Sequence, residues 1–296
     1  METHTFKKIG DLQIHADVYL ADRESKKEKL PAILFIHGGG LILGHRKAIV
    51  PNHIQALNEA GFHFISIDYR LAPETKLAGI LEDIQDAWHW LHGNAEPFGI
   101  DPARVAVMGH SAGAFLTLTC GARLNPRPAA LVSLAGYGKL RHEAFSTPSE
   151  HYLTAHAPAN EDEARQMVGS EAIASGGRND SIQRFTGRGL YYLFCRQQGI
   201  WLSEVSGYSS NDEALAQFEP VHNISAEYPP TMLLHGDPDT DIPVEQSILM
   251  AQELTRQGVA NKLIRNPNWS HAFIYIPDES VDRAFEQIIA FFQEHT

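Results

Sequence analysis

At 296 residues, 43% of them hydrophobic and 20% charged, the chain carries enough apolar material for one large core, and no Pro/Gly/Ser-rich linker divides it. A formal net charge of −12, with no basic cluster beyond Lys26-Lys27-Glu28-Lys29, excludes nucleic acid as an expected partner. No apolar run approaches membrane-spanning length, and residues 1 to 5 lack a basic-then-apolar leader, so a cytoplasmic protein without a membrane partner is expected.

Residues 5 to 8 and 12 to 20 read as a β-hairpin leading into a sheet. Pro31-Ala32-Ile33-Leu34-Phe35-Ile36 is a short unbroken apolar run, as expected of a strand buried on both faces of a parallel sheet, and it ends in His37-Gly38-Gly39-Gly40. Three successive glycines leave backbone N–H groups free to point at a developing negative charge, which is what an oxyanion hole requires. A phosphate cradle would want Gly-Lys-Ser/Thr or G-x-G-x-x-G, and residues 38 to 44 supply neither. Residues 62 to 69 read as the next strand and 79 to 94 as a helix. Trp88-His89-Trp90-Leu91-His92 falls on that helix and reads as an amphipathic face rather than a metal site.

Residues 104 to 108 form a strand pattern that runs into Gly109-His110-Ser111-Ala112-Gly113 and then the helix-prone Ala114-Phe115-Leu116. A serine between small residues at a strand-to-helix turn is a nucleophile elbow, where a strained backbone pushes the hydroxyl out above the sheet. Another strand is expected at 129 to 134. Cys120 and Cys195 both fall in helical stretches and read as buried free thiols.

The βα alternation stops at residue 141. Residues 145 to 159 are polar, His-rich and Pro-containing; helical stretches are expected at 162 to 174 and 181 to 198, separated by Gly176-Gly177. Phe185, Tyr191, Tyr192, Phe194 and Trp201 fall in or just beyond the second stretch, where aromatics either line an acyl pocket or anchor the segment to the core. The alternation resumes with the strand Pro230-Thr231-Met232-Leu233-Leu234, followed by His235-Gly236-Asp237-Pro238-Asp239-Thr240-Asp241-Ile242-Pro243. A serine hydrolase needs a carboxylate on such a loop to hold an imidazole in one tautomer, and three aspartates compete for that role. A helix at 246 to 257, a strand at 260 to 265, the loop Asn268-Trp269-Ser270-His271-Ala272-Phe273 and a helix at 282 to 294 complete the chain.

The order Ser, Asp, His, together with His37-Gly38-Gly39-Gly40, Asp68-Tyr69-Arg70-Leu71-Ala72-Pro73-Glu74 and Ser270-His271-Ala272-Phe273, resembles the α/β-hydrolase esterase/lipase group that includes hormone-sensitive-lipase-like carboxylesterases. The resemblance implies an α/β fold: a mostly parallel central sheet flanked by helices, with a core of residues 1–140 and 228–296 and a cap at 141–227. It further implies Ser111 as nucleophile, His271 as general base and Asp239 as its orienting acid, with the N–H groups of Gly39, Gly40 and Ala112 as oxyanion hole. Tyr191, Tyr192 and Phe194 are the expected substrate-binding residues, the substrate is a small to medium acyl ester, and neither metal nor organic cofactor is required. Nothing in the sequence supports a homo-oligomer.

Asp68 and Arg70 are expected to pin the loops around the oxyanion strand, Asp237 to brace its turn with Pro238, and Asp241 to sit at the start of a helix opened by Pro243. The sequence departs from the lipase-like pattern at His110, where those relatives usually have Asp, and in lacking N-terminal cap helices. His110 is more typical of formamidases, peptidases and feruloyl or acetyl esterases. An arylformamidase or a prolyl-oligopeptidase-like peptidase would use the same machinery. A non-catalytic small-molecule-binding protein on this fold would be marked by loss of a triad member, and none is lost.

Overall fold

The structure is a computed structural model that describes residues 1–22, 28–176 and 185–296. Lys26, Lys27, Gly177 and the first four residues of the helical stretch expected from 181 lie outside the described residues. The chain opens with β1 (Glu2–Ile9), β2 (Leu12–Tyr19), β3 (Leu30–Ile36), α1 (Pro51–Glu59), β4 (His63–Ile67), α2 (Leu77–Gly93), the short α3 (Ala95–Phe98) and β5 (Ile100–His110). It continues with α4 (Ala112–Arg123) and β6 (Leu131–Leu134), then α5 (Glu143–Ser146), α6 (Glu150–Ala155), α7 (Glu161–Arg165), α8 (Arg188–Gln198), α9 (Trp201–Ser206) and 3₁₀ turns at Glu213–Phe218 and Pro220–His222. β7 (Thr231–Gly236), α10 (Glu245–Arg256), β8 (Asn261–Asn266), a 3₁₀ turn at Phe273–Tyr275 and α11 (Glu279–His295) close it.

The strands form one sheet in the order β1-β2-β4-β3-β5-β6-β7-β8, in which β2 alone among the described strands runs against its neighbours. This is the α/β-hydrolase sheet, flanked by helices on both faces. Alternation explains why its central strands read as unbroken apolar runs: Leu34 and Ile36 of β3 with Val105 and Val107 of β5 face one core cluster, while Ile33, Phe35, Ala106 and Met108 face the other. α2 and α4 cover the first face; α11 covers the second through Val281, Phe285, Ile288 and Phe292, a 3–4 residue spacing that puts one stripe inward.

The segment between β6 and β7 is where structure and expectation part. Residues 162 to 174 contain helix only as far as Arg165; beyond it Ile173 O accepts from Leu71 N at 2.9 Å and Gly169 N donates to Glu74 Oε1 at 2.8 Å, so the backbone serves the loop after β4 instead of its own helix. The polar stretch 145 to 159 holds two short helices, which bury Phe145 and Tyr152. α1 was not foreseen, although Pro51 at its first position and the buried His53, Ile54 and Leu57 carry its signal. Both cysteines are buried free thiols. No helix among the described residues is long and apolar enough to cross a membrane.

The order of the strands decides where chemistry can happen. β3 and β5 are neighbours from which the chain departs in opposite directions, β3 toward β4 and β5 toward β6, and the crevice at the carboxyl ends of such strands is where open α/β sheets bind ligands. His37 follows β3, Ser111 follows β5, Asp239 follows β7 and His271 follows β8.

Candidate active site

β5 ends in a turn where Ser111 has φ 56°, a left-handed conformation rare for a residue with a side chain. The turn is held by Ser111 N donating to Leu134 O at 2.8 Å and by a close approach of chains at Gly113, where a Cβ would lie 2.0 Å from Ile36 O. Ser111 precedes α4 without using its hydroxyl as a cap, and the hydroxyl instead meets His271 Nε2 at 2.8 Å.

The other ring nitrogen, His271 Nδ1, lies 2.7 Å from Asp239 Oδ2. Because a carboxylate only accepts, Nδ1 carries the proton and Nε2 presents a lone pair to the serine O–H. Asp239 is fixed on all sides. Its Oδ1 accepts from the backbone N–H of Asp241 and of Ile242, both at 2.9 Å, and its Oδ2 also faces His235 Nε2 at 3.2 Å. His235 Nε2 donates to Ile242 O at 3.0 Å, so its Nδ1 accepts from Ser247 Oγ at 2.7 Å. Burial would raise the Asp239 carboxyl, but the two histidines outweigh it and hold the group well below the usual carboxylate range. For His271 burial again opposes the charged form, and Asp239 followed by Asp241 overcomes it, so the ring is raised above its ordinary value.

Among the described residues, the N–H groups of Gly39, Gly40 and Ala112 donate to no protein acceptor. Gly38 abuts the serine: a Cβ there would stand 3.2 Å from Ser111 Cβ. The loop is clamped from the β6–β7 segment, by Trp201 Nε1 donating to Gly40 O at 2.8 Å and by Arg188, which donates to Ile42 O and Ala72 O and pairs at 2.7 Å with the buried carboxylate of the half-buried Glu74. Asp68 contributes through Arg46, accepting from its backbone N at 2.8 Å and from its guanidinium. Arg70 does not share that task; it turns to Asp83 of α2 at 2.7 Å and to Gly79 O.

Of the three expected substrate-binding aromatics, Tyr192 alone reaches the site. Its ring lies against Gly40, where an added Cβ would meet it at 2.3 Å, and its hydroxyl donates to Asp241 at 2.8 Å. Tyr191 and Phe194 stack loosely on each other and face Arg165 of α7 and Glu204 of α9. The reason is helical phase: residues 192 and 196 share one side of α8, and 191, 194 and 195 share another. Tyr191→Ala and Phe194→Ala should therefore leave chain-length preference among ester substrates unchanged while lowering stability by about 3 kcal/mol or more. Hydrolysis profiles with thermal midpoints check this, and a changed profile in either variant would return that ring to the pocket.

Several site features escaped the sequence reading. His110 is buried and donates from Nε2 to His271 O at 2.9 Å, so the residue before the serine holds the backbone of the histidine; burial, then the neighbouring His271, push it down to about 3 and keep it neutral. Asp241 does not sit at a helix start but in the site, 3.5 Å from His271 Nε2 and paired with the buried Arg196. Asp237 pairs with Arg265 at 2.7 Å on the surface rather than bracing Pro238. Among the described residues no cluster of His, Cys, Asp or Glu could hold a metal.

Residues 16–158 match the BD-FAE family and residues 192–296 the Prolyl oligopeptidase family. A non-reducing polyketide synthase of Stereocaulon alpinum is 31% identical over 299 residues, covering 90% of this chain and 12% of the synthase. The chain thus spans about an eighth of the length of the curated relatives it matches. An α/β-hydrolase superfamily protein from Enterococcus faecalis superposes with TM-score 0.76 at 20% identity, covering 99% of this chain and 98% of that one. The butyrate-bound esterase of Thermogutta terrifontis superposes with TM-score 0.66 at 19% identity, covering 99% and 93%. The sheet, the serine turn above it and these structural matches show that the chain has the α/β-hydrolase fold.

Proposed function

We propose that the chain is a serine carboxylic-ester hydrolase for small to medium acyl groups, with Ser111 as nucleophile, His271 as general base and Asp239 as the orienting acid. The observation that carries the reading is the unbroken line Asp239–His271–Ser111, with contacts of 2.7 and 2.8 Å, beside glycine-loop N–H groups that have no acceptor among the described residues. On this reading Oγ bonds to the carbonyl carbon as its proton passes to Nε2, and the N–H groups of Gly39, Gly40 and Ala112 hold the oxyanion. His271 then gives the proton to the alcohol oxygen as the C–O bond breaks. Water repeats the sequence on the acyl-enzyme and releases the acid. The Tyr192 ring over Gly40 supports a limit on acyl size.

A second reading, hydrolysis of a polyketide acyl chain held as an ester or thioester, is favoured by the match along 90% of the chain to part of a non-reducing polyketide synthase. The test is a panel of p-nitrophenyl esters of rising chain length, an acyl thioester, an aryl formamide and a Pro-containing peptide anilide, with a fluorophosphonate probe read by peptide mass spectrometry. We expect the probe on Ser111 and the highest kcat/KM on short esters. Labelling elsewhere would remove the nucleophile, and faster turnover of thioester, formamide or anilide would replace the substrate class.

A further inference from the structure

The turn Asp239-Thr240-Asp241 delivers two carboxylates to one imidazole. Asp239 meets Nδ1, while Asp241 Oδ2 lies 3.5 Å from Nε2, the same nitrogen that faces Ser111 Oγ. The two are placed together, because the backbone N–H of Asp241 donates to Asp239 Oδ1. Asp241 is only 6% exposed, and α8 holds it from the other side: Tyr192 O–H donates to it, Arg196 Nη1 pairs with its Oδ1, and Arg196 Nη2 donates to its backbone O at 3.2 Å. A side chain so restrained cannot drift from the ring.

We propose that Asp241 is a positioning residue for the reaction, a second carboxylate that favours the charged form of His271 from its proton-transferring edge, with Arg196 and Tyr192 setting its place and strength. The inference rests on the reading of His271 as the base. Its physical content is an asymmetry between states. In the resting enzyme Nε2 offers a lone pair, and a nearby anion gains nothing from it. Once the serine proton has moved to Nε2 the ring is a cation, and the carboxylate at 3.5 Å attracts it. Asp241 takes no proton; it stabilises the ring during the interval before the proton passes to the leaving oxygen. Arg196 opposes the effect in part, being a cation in the same cluster. The remaining groups around the ring are Asp239 with His235 behind it, and His110 of β5 with Tyr275 at its edge.

Removing the anion should make the ring harder to protonate, and removing the cation should make it easier. Following the His271 ring by NMR in the resting protein, Asp241→Asn should lower its titration midpoint by about one unit, because a single opposite charge at this range favours the charged form by that order. Arg196→Gln should raise it. Should Arg196→Gln fail to fold, the double variant, which leaves no buried charge unpaired, should fall between Asp241→Asn and the wild type. With an accepted substrate, the acid limb of kcat/KM should shift in the same directions, and Asp241→Asn should lose about tenfold in plateau rate. A midpoint unmoved in folded Asp241→Asn, or shifts of one sign in both single variants, would reduce the cluster to a clamp between α8 and the loop after β7. The ring titration needs no turnover, so it decides the role of Asp241 even if no ester in the panel is hydrolysed.

Discussion

Asp239→Asn should lower kcat by up to about 10⁴-fold while leaving the protein folded. The Asp239 environment dictates why. Two backbone N–H groups, from Asp241 and Ile242, fix one side-chain oxygen as an acceptor, so an asparagine must keep its oxygen there and turn its NH₂ toward His271. Nδ1 then becomes an acceptor, the ring proton moves to Nε2, and the nitrogen that should receive the serine proton is already occupied. Both backbone bonds survive, so the loss falls on rate and little on stability. Asp237→Asn breaks only the surface pair with Arg265, worth about 1 kcal/mol or less, and should leave kcat near wild type. Measuring kcat and thermal midpoint for the Asn variants at 237, 239 and 241 decides the assignment; the largest rate loss at 237 or 241 would move the orienting acid there.

Ser111→Ala should lose at least ~10³-fold in ester turnover, with a small residual rate from the glycine-loop N–H groups and binding alone. The residue sits at φ 56° with its amide bonded to Leu134 O, and neither feature depends on the hydroxyl. Alanine has the same backbone preferences in that region, so the elbow should form unchanged, and circular dichroism with thermal melting should match the wild type. The fluorophosphonate adduct should vanish. Near-normal turnover by a folded Ser111→Ala protein would rule out an acyl-enzyme on this residue.

Much of the candidate site is readable in local sequence because its parts are set by local backbone chemistry. A serine flanked by Gly109 and Gly113 after an apolar strand can form only a narrow set of turns, and three glycines after β3 leave N–H groups without side chains to cover them. The strands β3, β5 and β7 are likewise legible, since burial on both faces demands unbroken apolar runs. The choice among Asp237, Asp239 and Asp241 was not available from residue type, which all three share; it depended on a family resemblance and, in the structure, on which carboxylate the backbone turns toward His271.

What tertiary structure alone decided involves partners distant in sequence. α8 has a periodicity anyone can mark, yet the side that meets the crevice depends on how the helix docks on the strand ends. That docking brings Tyr192 and Arg196 to Asp241, across 49 and 45 positions, and sends Tyr191 and Phe194 to α7 and α9. His110 gives no sign beforehand that its ring will hold the carbonyl of His271, 161 positions later. The stretch after Arg165 has residues that accept a helix, but its backbone pairs with Leu71 and Glu74 instead. Turn chemistry and strand burial are short-range and therefore written in the order of residues; the facing of a helix and the neighbours of a buried charge are settled only when segments pack, because the energy that selects them is shared between distant parts of the chain.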